Sequence, residues 1–149
     1  RVGIKHYNTI NNDNNTIIGI TLGGMDFENT NYQFNFSDNL GLPTSLIYID
    51  FYRLLLGGIF DFNYIYSLSN LETFRFTGLP RRIKLTGNID WVMISQMPKL
   101  KNFHIQYRKF DGDIGLIQSF SGPLERIDLH QSYVYGTFDT NCLRSVSDT

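Results

Sequence analysis

Apolar and polar positions recur along the chain as Φ-x-x-Φ-x-Φ, with Φ a large apolar residue, and five copies can be read. They are Ile17, Ile20, Leu22; Leu46, Ile49, Phe51; Leu71, Phe74, Phe76; Leu100, Phe103, Ile105; and Leu124, Ile127, Leu129. Their starts lie 29, 25, 29 and 24 residues apart. The closing Φ-x-Φ has period two, which predicts a short strand sending both apolar side chains to one side. One such strand cannot cover its own apolar face. The five are therefore expected to stack in parallel, about 4.8 Å from neighbour to neighbour.

A second pattern, Φ-x-Gly-x-Φ followed by Asp or Gly, trails the first. It reads Leu56-Gly57-Gly58-Ile59-Phe60-Asp61, Leu85-Thr86-Gly87-Asn88-Ile89-Asp90, Phe110-Asp111-Gly112-Asp113-Ile114-Gly115 and Val134-Tyr135-Gly136-Thr137-Phe138-Asp139. In three copies it begins 5 residues after the last Φ, and in the remaining one, Phe76 to Leu85, after 9. The third repeat thus carries an insertion around Gly78-Leu79-Pro80-Arg81-Arg82, expected to leave the coil as a loop. The shared glycine suits a backbone with positive φ or one that closely approaches the next coil. No phosphate-loop or dinucleotide-binding glycine motif accompanies it.

Together the two patterns resemble the plant-type leucine-rich repeat of receptor-kinase ectodomains, polygalacturonase-inhibiting proteins and protist surface proteins, from Thr16 to the end. The family's asparagine after the strand is replaced by Met25, Leu54, Arg108 and Ser132, and its closing proline by Asp or Gly. Gly3-Ile4-Lys5-His6 is similar to the family's amino-terminal cap strand, with His6 where a cysteine would stand. A strand is expected over Val2 to Tyr7, a turn over Asn11 to Asn15 and a strand over Thr16 to Leu22.

The resemblance implies a leucine-rich-repeat solenoid: a right-handed, curved stack of coils with a parallel β-sheet on its concave face. About five repeats over 16–149 would follow a partial cap over 1–15, in a single domain with no carboxyl-terminal cap. It also implies a non-enzymatic recognition module of a secreted or cell-surface protein, binding a protein, peptide or glycan on the concave face. The alternative is a structural module that stacks end to end or belongs to a larger repeat protein.

Composition narrows the partners. A net charge of -1 provides no basic field for nucleic acid, and no apolar run approaches the roughly 18 residues of a membrane span, so neither partner is expected. Cys142 is the single cysteine, which excludes a disulfide within the chain and a multi-cysteine metal site. It is read either as a buried thiol or as one paired to a further segment. No cofactor is expected. Asn14 and Asn35 open two N-x-Ser/Thr sequons in polar stretches, candidates for glycosylation if the chain is secreted.

Candidate site residues are the x positions of the strands, which face outward and form rows across the stack. One row runs Thr21, Asp50, Arg75, His104, Asp128; the next runs Gly23, Tyr52, Thr77, Gln106, His130; Tyr48, Arg53, Tyr107, Arg126 and Gln131 extend the surface. Rigid aromatic and arginine side chains are what binding surfaces favour. The same residues also fit a solvated sheet face held by cross-strand pairs such as Asp50 with Arg75. Arg81 and Arg82 in the insertion either grip a carboxylate or sulfate, or merely solubilise a loop. Trp91 is expected in the core. His104, His130 and Asp128 are the only clustered acid and base candidates, and no activated nucleophile or metal-ligand spacing goes with them, so catalysis is not expected.

Overall fold

A computed structural model describes residues 6–11, 16–23, 42–53, 57–78, 84–117 and 121–137. Nine strands lie within them: β1 (His6–Asn11), β2 (Ile17–Gly23), β3 (Tyr48–Tyr52), β4 (Gly57–Ile59), β5 (Thr73–Thr77), β6 (Lys84–Asn88), β7 (Asn102–Gln106), β8 (Lys109–Asp111) and β9 (Arg126–His130). Six form a sheet in the order β1-β2-β3-β5-β7-β9, and β4-β6-β8 form a second, three-stranded sheet. From β2 to β9 every pairing in the large sheet is parallel, and β1 alone runs antiparallel. The sheet does not close into a barrel.

Register follows the apolar pattern. Ile20, Ile49, Phe74, Phe103 and Ile127 pair in one line across the five parallel strands, and Leu22, Phe51, Phe76, Ile105 and Leu129 in another. In β5 the sequence Thr-Phe-Arg-Phe-Thr buries both phenylalanines and exposes the arginine between them. A slip of one residue would turn a phenylalanine pair into water, so the alternation fixes the register.

The amino-terminal strand differs from its expected bounds. β1 extends to Asn11, which pairs with Ile17 after an irregularity at Ile10, so Asn11 belongs to the ladder and not to the turn. The pairing with β2 continues past Tyr7, through Ile10 with Gly19 and Asn11 with Ile17, and this sets the observed bound. Residues 1–5, which carry most of the proposed cap motif, lie outside the described residues, as does Cys142.

The core joins both sheets through edge-to-face aromatic contacts. Phe51 meets Phe76 with ring centroids 5.1 Å apart, Phe76 meets Phe110 at 5.4 Å, and Phe110 meets Phe62 at 4.9 Å. Trp91 is fully buried against Phe103, as expected. The leading Φ positions Leu46, Leu71, Leu100 and Leu124 are buried as well.

Three copies of the second pattern supply the strands of the second sheet, and Tyr135 of the fourth forms a single bridge with Asp113. Gly87 has an ordinary backbone, but a Cβ there would lie 2.6 Å from the Phe60 carbonyl oxygen. Gly112 combines φ of 145° with a Cβ position 2.5 Å from the Ile89 carbonyl oxygen, and Gly136 has φ of 100°. Both expected reasons for the glycine thus occur. The chain then turns through short helices, α1 (Asn63–Tyr66), α2 (Trp91–Gln96) and a 3-10 turn at Ile114–Leu116. Acidic residues beside the pattern start these turns: the Asp90 carboxylate accepts from the Val92 and Met93 N–H groups, and that of Asp113 from Gly115. Among the described residues no helix is long and apolar enough to cross a membrane.

Candidate functional site

Alternation in β3, β5, β7 and β9 turns one set of side chains away from the core, and the parallel register lines them up. Asp50, Arg75, His104 and Asp128 occupy directly paired positions on four neighbouring strands. Arg75 Nη1 lies 3.8 Å from Asp50 Oδ2, and His104 Nδ1 lies 3.1 Å from Asp128 Oδ2. Arg126 Nη2 approaches the same Asp128 oxygen at 3.6 Å. The His104 contact is short enough for a direct hydrogen bond, and both arginine contacts are looser ion pairs. The cross-strand pair expected between Asp50 and Arg75 is therefore present.

Tyr48 opens a row on the other side of this line. Its hydroxyl donates to Asp50 Oδ2 at 3.1 Å. Burial raises the phenol above its ordinary range, the Asp50 charge raises it further and Arg75 opposes both, so Tyr48 stays a protonated donor at neutral pH. Its row continues through Thr73, Asn102 and Arg126, and the Asn102 side-chain amide donates to Thr73 Oγ1 at 3.3 Å. A shallow depression of about 310 Å³ opens here, lined by Tyr48, Thr73, Arg75, Asn102, His104 and Arg126 with Phe103 below.

The third row is Tyr52, Thr77, Gln106 and His130. The Arg53 guanidinium sits 5.1 Å from the centre of the Tyr52 ring, and the Tyr107 ring meets His130 edge-on at 5.3 Å. Arg53, Tyr107 and Gln131, each just past a strand, have φ of 51°, 53° and 52°. One strained residue at a surface would suggest a functional distortion, but recurrence at equivalent positions assigns this conformation to the turn that ends β3, β7 and β9, while the residue after β5, Gly78, does not adopt it. The Arg53 and Tyr107 N–H groups still donate to the next strand, to the Thr77 and His130 carbonyls.

Of the expected site residues, the structure brings together Tyr48, Asp50, Arg75, His104 and Asp128 around the depression. It places Tyr52 with Arg53, and Gln106 and Tyr107 beside His130, on the adjoining edge. Arg81 and Arg82 lie outside the described residues, as do the sequon asparagines Asn14 and Asn35. Thr73 and Asn102 were not singled out from the sequence, although they share the row of Tyr48 and Arg126 and could have been found by extending it. Among the described residues, no group of three or more His, Cys, Asp or Glu is placed to hold a metal ion.

Another group gives no signal in sequence hydropathy. Arg108, immediately after Tyr107, is fully buried with its guanidinium 4.8 Å from the Phe76 ring centre. Desolvation lowers it to about 10, so it remains charged at neutral pH. Gly78 makes room for it: a Cβ there would stand 3.1 Å from the guanidinium carbon.

No protein-family model, curated protein or solved structure matches the chain.

Proposed function

We propose that the chain is a leucine-rich-repeat solenoid of the plant type, acting as a non-enzymatic recognition module of a secreted or cell-surface protein. It binds a protein, peptide or glycan on the outward face of the six-stranded sheet, the concave face of such a stack. The repeat reading is supported by in-register parallel strands drawn from segments 24 to 29 residues apart, and by the matching left-handed turns at Arg53, Tyr107 and Gln131.

The observation that carries the binding reading is the line of Asp50, Arg75, His104 and Asp128 beside a depression framed by Tyr48 and Arg126. Side chains of both charges and the Tyr48 ring are held there on strands, where little backbone freedom is left to lose on binding. The His104–Asp128 pair alone would orient an imidazole, but it opens on a broad face instead of a water-excluding pocket.

A second reading rests on β9. Ile127 and Leu129 are only partly buried there, whereas their counterparts in β3, β5 and β7 are closed off from solvent, and Tyr133 and Tyr135 are exposed beyond them. Such an edge suits the docking of another coil or a second copy.

Both readings meet one test. On an array of defined oligosaccharides and peptides, the wild-type chain should bind at least one member. Replacing Tyr52, Arg75 and Tyr107 together by alanine should weaken that binding by about a hundredfold or more, with an unchanged thermal midpoint. Binding that survives the triple change removes the sheet face as the site; an array without signal, from a chain that self-associates in sedimentation, favours the structural reading.

A further inference from the structure

The depression on the sheet face is lined by one kind of charge only. Arg75, Arg126 and His104 contribute cationic or donor groups, Tyr48, Thr73 and Asn102 contribute neutral polar groups, and no carboxylate belongs to the lining. The neighbouring carboxylates are turned to other work: Asp50 accepts from Tyr48 and faces Arg75, and Asp128 holds His104 and faces Arg126. Each lining cation thus stands beside a carboxylate that lies just outside the lining.

Both guanidiniums retain donors for a ligand. Their contacts to Asp50 and Asp128, at 3.8 and 3.6 Å, are longer than direct hydrogen bonds, and their side chains are 46% and 70% exposed. They belong to strands two places apart in the sheet, roughly 10 Å across, with the strand of His104 between them. Asn102 donates to Thr73, which leaves the Asn102 carbonyl oxygen to accept and the Thr73 hydroxyl to donate. An acidic peptide side chain would engage the arginines alone; a sugar ring carrying a carboxylate also has hydroxyls to meet the remaining acceptor of Asn102 and donor of Thr73. The volume of about 310 Å³ is at the small end for ligand pockets, suited to one ring and not to a large flat ligand.

We propose that this depression is a subsite for a carboxylate-bearing sugar, a uronic acid unit of a glycan. Its carboxylate lies between Arg75 and Arg126 and its ring hydroxyls meet Asn102, Thr73 and Tyr48. This rests on the sheet face being the binding surface and narrows its ligand.

Calorimetric titration of the full chain with trigalacturonate, maltotriose and triglutamate tests it. Trigalacturonate should bind saturably and lose affinity in high salt, and maltotriose should not bind measurably. Arg126→Gln and Asn102→Ala should each weaken trigalacturonate about tenfold without changing the thermal midpoint, Arg126 being mostly exposed. Equal affinity for triglutamate, indifference to both substitutions, or no binding of trigalacturonate would each overturn the proposal. If triglutamate alone binds and Arg126→Gln removes it, the sugar assignment fails while the sheet face stands as a binding surface. Trigalacturonate binding untouched by either substitution or by the Tyr52, Arg75 and Tyr107 triple change removes both.

Discussion

Gly112→Ala should destabilise the chain by about 3 kcal/mol or more, read as a fall in the urea midpoint at constant slope. Two independent causes add at this residue. Its φ of 145° belongs to a region that residues with a Cβ avoid, and an added methyl would lie 2.5 Å from the Ile89 carbonyl oxygen and 3.0 Å from Trp91 Nε1. Neither neighbour moves easily, since the first is backbone and the second belongs to a fully buried ring. Gly87→Ala isolates one cause, because its backbone is ordinary and its clash, 2.6 Å from the Phe60 carbonyl oxygen, is comparable. It should cost less than Gly112→Ala. Equal stability of Gly112→Ala and wild type would mean that the second sheet is not packed as described.

Phe76→Ala has an effect of similar size by a different route. Phe76 is completely buried and touches the rings of Phe51, Phe60 and Phe110, as well as the Arg108 guanidinium. Truncation removes the transfer free energy of the ring and leaves a cavity among side chains fixed on two sheets, a loss of about 3–5 kcal/mol. For a chain of this size the thermal midpoint should fall by roughly 6–20 °C. Phe76→Leu retains most of the volume and should cost under half as much. A loss below about 1 kcal/mol for the alanine variant would contradict the ring's place at the junction of the sheets.

The large sheet was legible in the sequence because two periodicities agree there. Period two along each strand decides which side chains are buried, and the spacing of the copies decides which residues become neighbours, so Asp50 beside Arg75 and His104 beside Asp128 could be named in advance. The glycines of the second pattern were legible for the same reason, as backbone positions where a side chain does not fit.

The strands around those glycines were not foreseen. Strands of three to five residues carry too little alternation to announce themselves, and helices of four and six residues are too short to display a helical period. Arg108 was hidden for a chemical reason. Hydropathy assigns arginine to water, and the Phe76 ring and the space left at Gly78, brought beside Arg108 by the pairing of β5 with β7, help to make a buried place for it. Thr73 and Asn102 were passed over because they are small and uncharged, yet their row was already marked by Tyr48 and Arg126.

The central claim is that recognition takes place on the outward face of the six-stranded sheet. Two-dimensional amide NMR of the full chain, titrated with whichever array member binds, tests it most directly. The account predicts shifts that concentrate at alternate residues of β3, β5, β7 and β9, around Tyr48, Asp50, Arg75, Asn102, His104 and Arg126, while α2 and the second sheet stay unchanged. Shifts concentrated instead on β4, β6, β8 and α2, with the large sheet silent, would contradict it.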